Sequence, residues 1–162
     1  SRDSGNYTEE CDIPVIIDNC LVILQNKIKN RIQVVKKYKA DTILVKGNIG
    51  KLHQVFLNLL TNGIDAISDT GEILIEVTDR SQNIEIAITD NGEGIDKKLI
   101  SQITDPFFTT KPPGKGTGLG LSITYTIISE HNGKISFKSE KNKGTKVIIT
   151  LPINHYEDGK ES

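Results

Sequence analysis

Hydrophobic positions along this chain recur at two different periods, and the changes of period mark out its elements. Asp12 and Pro14 are start signals for a helix whose apolar positions Ile16, Ile17, Cys20, Leu21, Leu24 and Ile28 fall on one face. Residues 32–38 are rich in β-branched side chains and read as a strand, and residues 42–45 as a short second one before Gly47 and Gly50. The clearest helix is predicted over residues 51–67. Leu52, Val55, Phe56, Leu59, Leu60, Ile64 and Ile67 form its apolar stripe, while Gln54, Asn58, Asn62 and Asp65 form a second stripe that is polar with little charge.

Strict alternation then takes over. Ile73, Ile75 and Val77 in one segment and Ile84, Ile86 and Ile88 in the next predict a hairpin with one buried face, turning within residues 79–83. A short helix is expected over residues 96–103, and the Pro- and Gly-rich stretch 104–120 reads as a mobile lid with no regular element. A helix over residues 117–131, stopped by Asn132-Gly133, leads to two further strands, 134–139 and 146–151, joined by a turn at residues 142–144. The order suits one mixed or antiparallel sheet with helices on one face, an α+β two-layer sandwich rather than a doubly wound fold.

Length and charge narrow the functional classes. At 162 residues the chain is about one domain. With 20 Lys+Arg against 21 Asp+Glu it has no field to gather nucleic acid or an anionic membrane. Its longest apolar run, residues 20–24, is far short of the roughly 18 residues a membrane span needs. The two cysteines, Cys11 and Cys20, have no metal-ligand spacing and read as reduced thiols of a cytoplasmic protein. The chain contains no Met, which suggests a piece of a longer protein.

Three segments carry candidate chemistry. The glycines at 114, 116, 118 and 120 alternate with other residues, so they fail the spacing of dinucleotide-binding and P-loop motifs. A glycine loop running into a helix N-terminus nonetheless exposes backbone N–H groups to phosphate oxygens; the plain alternative is a flexible linker. Asp90-Asn-Gly-Glu-Gly94 follows a strand end and puts a carboxylate beside glycines that let a planar ligand approach, or else forms an ordinary turn. Asn58 and Asn62 stand one helical turn apart, where paired amides can offer oxygens to a hard cation, or simply decorate a surface.

Together these segments resemble the sensor histidine kinases. Residues 53–62 (HQVFLNLLTN) resemble the N box, residues 90–94 the first glycine box, residues 105–111 (DPFFTTK) the F box and residues 116–120 (GTGLG) the second glycine box, in the family's order. The resemblance covers nearly the whole chain and implies the catalytic ATP-binding domain, with the Bergerat fold shared by gyrase B, heat-shock chaperone and mismatch-repair ATPases. Its implied layout is the end of a preceding dimerisation helix or linker over residues 1–10, the catalytic domain over 11–153 and a polar tail over 154–162.

The resemblance also implies roles. Asn62 would hold Mg²⁺, Asn58 would stand near the phosphates, and both count as catalytic; Asp90 would accept the adenine amino group, with Gly92 and Gly94 allowing close approach. Lys111 and Lys115 would meet phosphate charge, Gly116, Thr117, Gly118, Leu119 and Gly120 would wrap the triphosphate, and Thr145 is a candidate near adenine. Phe107 and Phe108 would pack the lid, or are simply core. Two departures matter. ATP-hydrolysing relatives carry a glutamate base where this chain has Asn58, an amide that takes no proton at neutral pH, so transfer fits better than hydrolysis. The basic residue often found three positions after the metal asparagine is here Asp65, counted among the nucleotide-site residues, which leaves more phosphate contact to the lid lysines.

The expected activity is donation of the ATP γ-phosphoryl to a histidine on a separate dimerisation domain of the same protein, for relay to an aspartate on a response regulator receiver domain. His53, His131 and His155 lack an acceptor's neighbourhood, so the chain is expected to bind Mg·ATP as a monomer without phosphorylating itself. The competing classes are a gyrase- or chaperone-type ATPase, a serine kinase of the anti-sigma type and a nucleotide-sensing module without transfer activity.

Overall fold

The computed structural model describes residues 6–96, 99 and 120–153. Its main layer is a five-stranded sheet in the order β2-β4-β5-β7-β6. The strands are β2 (Ile32–Tyr38), β4 (Gly71–Arg80), β5 (Asn83–Asp90), β6 (Lys134–Glu140) and β7 (Gly144–Pro152). β2 runs parallel to β4 and all other neighbours are antiparallel, so the sheet is mixed, as expected. The alternating residues bury one face: Ile75 pairs with Ile88 and Val77 with Ile86, and Ile86 in turn with Ile149. The two hairpins close over two residues (Ser81, Gln82) and three (141–143), tighter than the first predicted turn.

Helix α1 (Ile13–Ile23) has Pro14 in its first turn, where a missing N–H costs nothing. The helix expected to reach Ile28 divides instead. Leu24 leaves helical geometry (ψ 7°) and a single turn, α2 (Gln25–Ile28), follows, before Asn30 at φ 66° turns the chain into β2. Two Asn in this tract lower helix propensity, yet Leu24 and Ile28 still reach the core. Helix α3 (Ile49–Ala66) lies between α1 and α4 (Gly120–Glu130) and buries Leu52, Val55, Phe56, Leu59, Leu60 and Ile64. Asn132 at φ 61° ends α4 as its sequence predicted.

A second, two-stranded sheet pairs β1 (Glu9–Asp12) with β3 (Leu44–Gly47). β1 falls where the sequence announces no strand, because its three acids hide the pattern and the pairing with β3 supplies the strand. Of the short helix expected over 96–103, only the Leu99 N–H to Asp96 carbonyl bond (2.9 Å) is described. The stretch 101–119 and the tail 154–162 lie outside the described residues. Among the described residues no helix is long and apolar enough to cross a membrane.

Candidate functional site

The candidate site lies where the C-terminal half of α3, the end of β5 and the start of β7 converge. Asn58 and Asn62 are half-buried on α3, and Asp65 is exposed in its last turn. The residue after Asn62 is Gly63, which the sequence reading passed over. A Cβ there would stand 3.6 Å from the Asp90 Oδ2, an ordinary van der Waals distance, which places the carboxylate directly against this turn of the helix.

Asp90 is 7% exposed at the last position of β5. Its Oδ1 accepts from the Gly92 N–H at 2.9 Å. Burial pushes its pKa upward, opposed by backbone N–H bonds from Gly92 and Thr145, and Glu93 adds a further upward push. A carboxylate retained at this cost is a candidate acceptor for a ligand donor.

The loop after Asp90 is fitted to α3. A Cβ on Gly92 would stand 2.6 Å from the Ala66 carbonyl carbon, so only glycine lets the loop pass there. The Glu93 N–H bonds the Ala66 carbonyl (2.9 Å), and the Glu93 carbonyl accepts from Asn142 in the β6–β7 turn. Asn91 is bound to β4 instead: its side-chain oxygen accepts from the Glu72 N–H at 2.8 Å. Gly94 (φ 71°) packs against Glu140.

Thr145 lies opposite Asp90 in the β5–β7 register, and its hydroxyl meets Ser139 at 2.7 Å. Ser139 also accepts from the Ile95 N–H at 2.7 Å, which anchors the glycine loop's far end. Gly144, at φ 109°, must be glycine because a Cβ would meet the Asp90 carbonyl. Ser139 and Gly144 were missed in the sequence; the Gly-Thr pair after a turn was the available signal. Gly120 opens α4 beside Asn58, its notional Cβ 4.0 Å from Asn58 Nδ2, which brings the last glycine of the alternating run to the amide stripe.

Thus Asn58, Asn62, Asp65, Asp90, Gly92, Gly94, Gly120 and Thr145 are distributed around one α3–β5–β7–α4 junction. Lys111, Lys115, Gly116, Thr117, Gly118 and Leu119, with Phe107 and Phe108, lie outside the described residues. Among the described residues no three His, Cys, Asp or Glu side chains gather as a metal cage. Asn58 and Asn62 on α3 carry amide oxygens, the ligand type Mg²⁺ accepts alongside phosphate and water.

Of the histidines, His131 is structural. It is 6% exposed, its Nδ1–H donates to the Ile127 carbonyl (2.8 Å) and its Nε2 accepts from the Asn48 N–H (3.0 Å). Burial lowers its pKa. His53 Nδ1 is bonded to the Ile49 carbonyl within α3.

Residues 47–155 match the family described as histidine kinase-, DNA gyrase B-, and HSP90-like ATPases. Sporulation kinase A of Bacillus subtilis is 39% identical over 76% of this chain, which spans only 20% of that kinase's length. The solved catalytic domain of histidine kinase ThkA superposes with a TM-score of 0.80 at 32% identity, covering 89% of this chain and 96% of that domain. ThkA in complex with the response regulator protein TrrA matches at a TM-score of 0.78 and 28% identity, over 93% of this chain and 43% of that one. With the mixed sheet, the helical layer and the α3–β5 junction in place, these matches make the chain a member of the histidine kinase-, DNA gyrase B- and HSP90-like ATPase family, as the catalytic ATP-binding domain of a sensor histidine kinase.

Proposed function

We propose that this domain binds Mg·ATP at the α3–β5–β7–α4 junction and donates the γ-phosphoryl to a histidine on a separate dimerisation domain of the same protein, for relay to a response regulator aspartate. The observation that carries the reading is Asp90: a buried carboxylate at a strand end, its Oδ1 held by the Gly92 N–H, packed against α3 at Gly63. That arrangement suits the exocyclic amine of adenine, with Gly92 and Gly94 bringing backbone close to the ring and Thr145 beside it.

Asn62 supplies an amide oxygen to Mg²⁺, which when bound neutralises phosphate charge. Asn58 and the positive end of α4 at Gly120 face the phosphates, and Asp65 borders them. Lys111, Lys115, Gly116, Thr117, Gly118 and Leu119 complete the phosphate contacts. Asn58 takes no proton at neutral pH, which supports transfer over hydrolysis. The response regulator bound to ThkA supports the relay. The buried thiols of Cys11 and Cys20, both pushed up to about 11 by burial, are inert and suit a cytoplasmic setting.

Calorimetric titration with a non-hydrolysable ATP analogue tests the reading. Wild type binds in an Mg²⁺-dependent manner, Asp90→Asn weakens binding about 100-fold by turning an acceptor into a donor, and Asn62→Ala removes the Mg²⁺ dependence. Mixing with an acceptor domain and [γ-³²P]ATP then yields acid-labile phosphohistidine on that domain and none on this chain. Absence of analogue binding by wild type would overturn the proposal, and phosphoserine on the acceptor would replace it with a serine kinase.

A further inference from the structure

Helix α3 ends without a basic residue in its last turn and with Asp65 there instead, an arrangement its dipole disfavours. The missing cation comes from elsewhere. Arg31, half-buried just before β2, spreads its guanidinium over backbone carbonyls. Nη1 donates to Ile67 (3.1 Å) and Asp69 (2.8 Å), Nη2 to Ile64 (3.3 Å), and Nε back to Lys27 in α2 (3.3 Å). Its own carbonyl accepts from the Gly71 N–H at 3.0 Å, so side chain and backbone together bind the whole connection from α3 to β4.

That connection is also the seat of the glycine loop. On one side it meets Arg31. On the other, the Asn91 side-chain oxygen bonds the Glu72 N–H and leaves no room for a Cβ on Gly71, while the Ala66 carbonyl holds the Glu93 N–H. Asn91, Gly92 and Glu93 immediately follow Asp90, and Asn62 precedes Ile64 by two positions on the same helix.

We propose that Arg31 is a positioning residue for the nucleotide site: by clamping the last turn of α3 and residues 67–71, it sets where Asn62 stands and where the Asp90–Gly94 loop rests. The inference rests on the nucleotide reading above. The guanidinium donates to backbone carbonyls of Lys27, Ile64, Ile67 and Asp69, and Arg31 acts through the backbone it holds. A planar fork is required, because a lysine ammonium cannot reach carbonyls of α2, α3 and the following loop together.

The test titrates wild type, Arg31→Ala, Arg31→Lys and the exposed control Arg80→Ala with the non-hydrolysable ATP analogue and Mg²⁺, well below each melting temperature. Amide hydrogen exchange at Glu93 is followed in parallel. Loss of the clamp is expected to raise the analogue Kd about tenfold or more in Arg31→Ala, less in Arg31→Lys and not at all in Arg80→Ala. Glu93 loses protection while the central strands β4 and β5 keep theirs. Arg31→Lys carries the test should Arg31→Ala not fold. Wild-type Kd in the Arg31 variants would overturn the inference while leaving the nucleotide reading intact, as would uniform loss of protection across the sheet. Failure of wild type and Arg80→Ala to bind the analogue would instead sink the nucleotide reading, and this inference with it.

Discussion

The two ends of α3 are held by opposite chemistry. At its start the exposed donors are met by three acceptors: the Asn48 side chain takes the Lys51 N–H (2.9 Å), Glu9 of β1 takes the Ile49 N–H (2.9 Å), and the His131 ring takes the Asn48 N–H (3.0 Å). At its end the carbonyls are met by donors, the Arg31 guanidinium and the Glu93 N–H. Each end thus receives the charge its dipole favours, a carboxylate at the start and a guanidinium at the finish. The ends lie roughly 27 Å apart along the axis. Only the finish adjoins Asp90 and Asn62, so the same helix is anchored for stability at one end and, under the proposed function, for binding at the other.

The largest effect expected after Asp90→Asn is at the finish. Gly92→Ala forces a Cβ into the Ala66 backbone, and the analogue Kd should rise about tenfold or more. Unchanged binding in this variant, measured by calorimetry, would break the division between the ends. Asn48→Ala removes the cap at the start and should cost about 1 kcal/mol of folding stability in denaturant titration. Its Kd should match wild type; a large rise would show the two ends to be coupled.

The smallest effect is a pH dependence confined to the start. His131 accepts from Asn48 only as the neutral ring, and burial holds its pKa below the ordinary 6.5. Glu130 attracts the protonated form and Lys51 opposes it. Because the folded pKa is depressed, the unfolded chain binds the proton more readily as pH falls below about 6.5. The His131 contribution is therefore present above that value and is lost on acidification, at no more than about 1.4 kcal/mol per pH unit. Melting temperatures between about pH 7 and pH 5 should fall less in His131→Gln than in wild type.

Which of these anchors could be read from the chain follows from what each one touches. The stripe of α3 was legible because Leu52, Phe56, Leu60 and Ile64 repeat at helical spacing, and the hairpins because Ile73, Ile75 and Val77 alternate. Asp90 and the glycine loop stood out as a motif. The parallel pairing of β2 with β4 depends on contacts across some 40 residues and leaves no local mark. Arg31 was invisible for a related reason: all four of its side-chain partners are backbone carbonyls, which carry no residue signature, and three of them lie 33 to 38 positions away. His131 resembled many other histidines until Asn48 and Ile127 were found on its two ring nitrogens. β1 was hidden because strand-forming residues are sparse in Glu9–Asp12 and the partner strand decides its conformation.

The pairing of Asp90 with Thr145 has a further consequence, for folding. The β4–β5 and β6–β7 hairpins close short loops and can form within microseconds, whereas β5 meets β7 only after the intervening stretch, α4 and β6 have been brought together. Half of the proposed adenine pocket is made by that late, long-range contact. An incompletely folded chain consequently has no partial version of the site with which to capture nucleotide. Ligand added during refolding should leave the folding rate unchanged and slow unfolding alone, acting as a latch on the finished fold rather than a template for it.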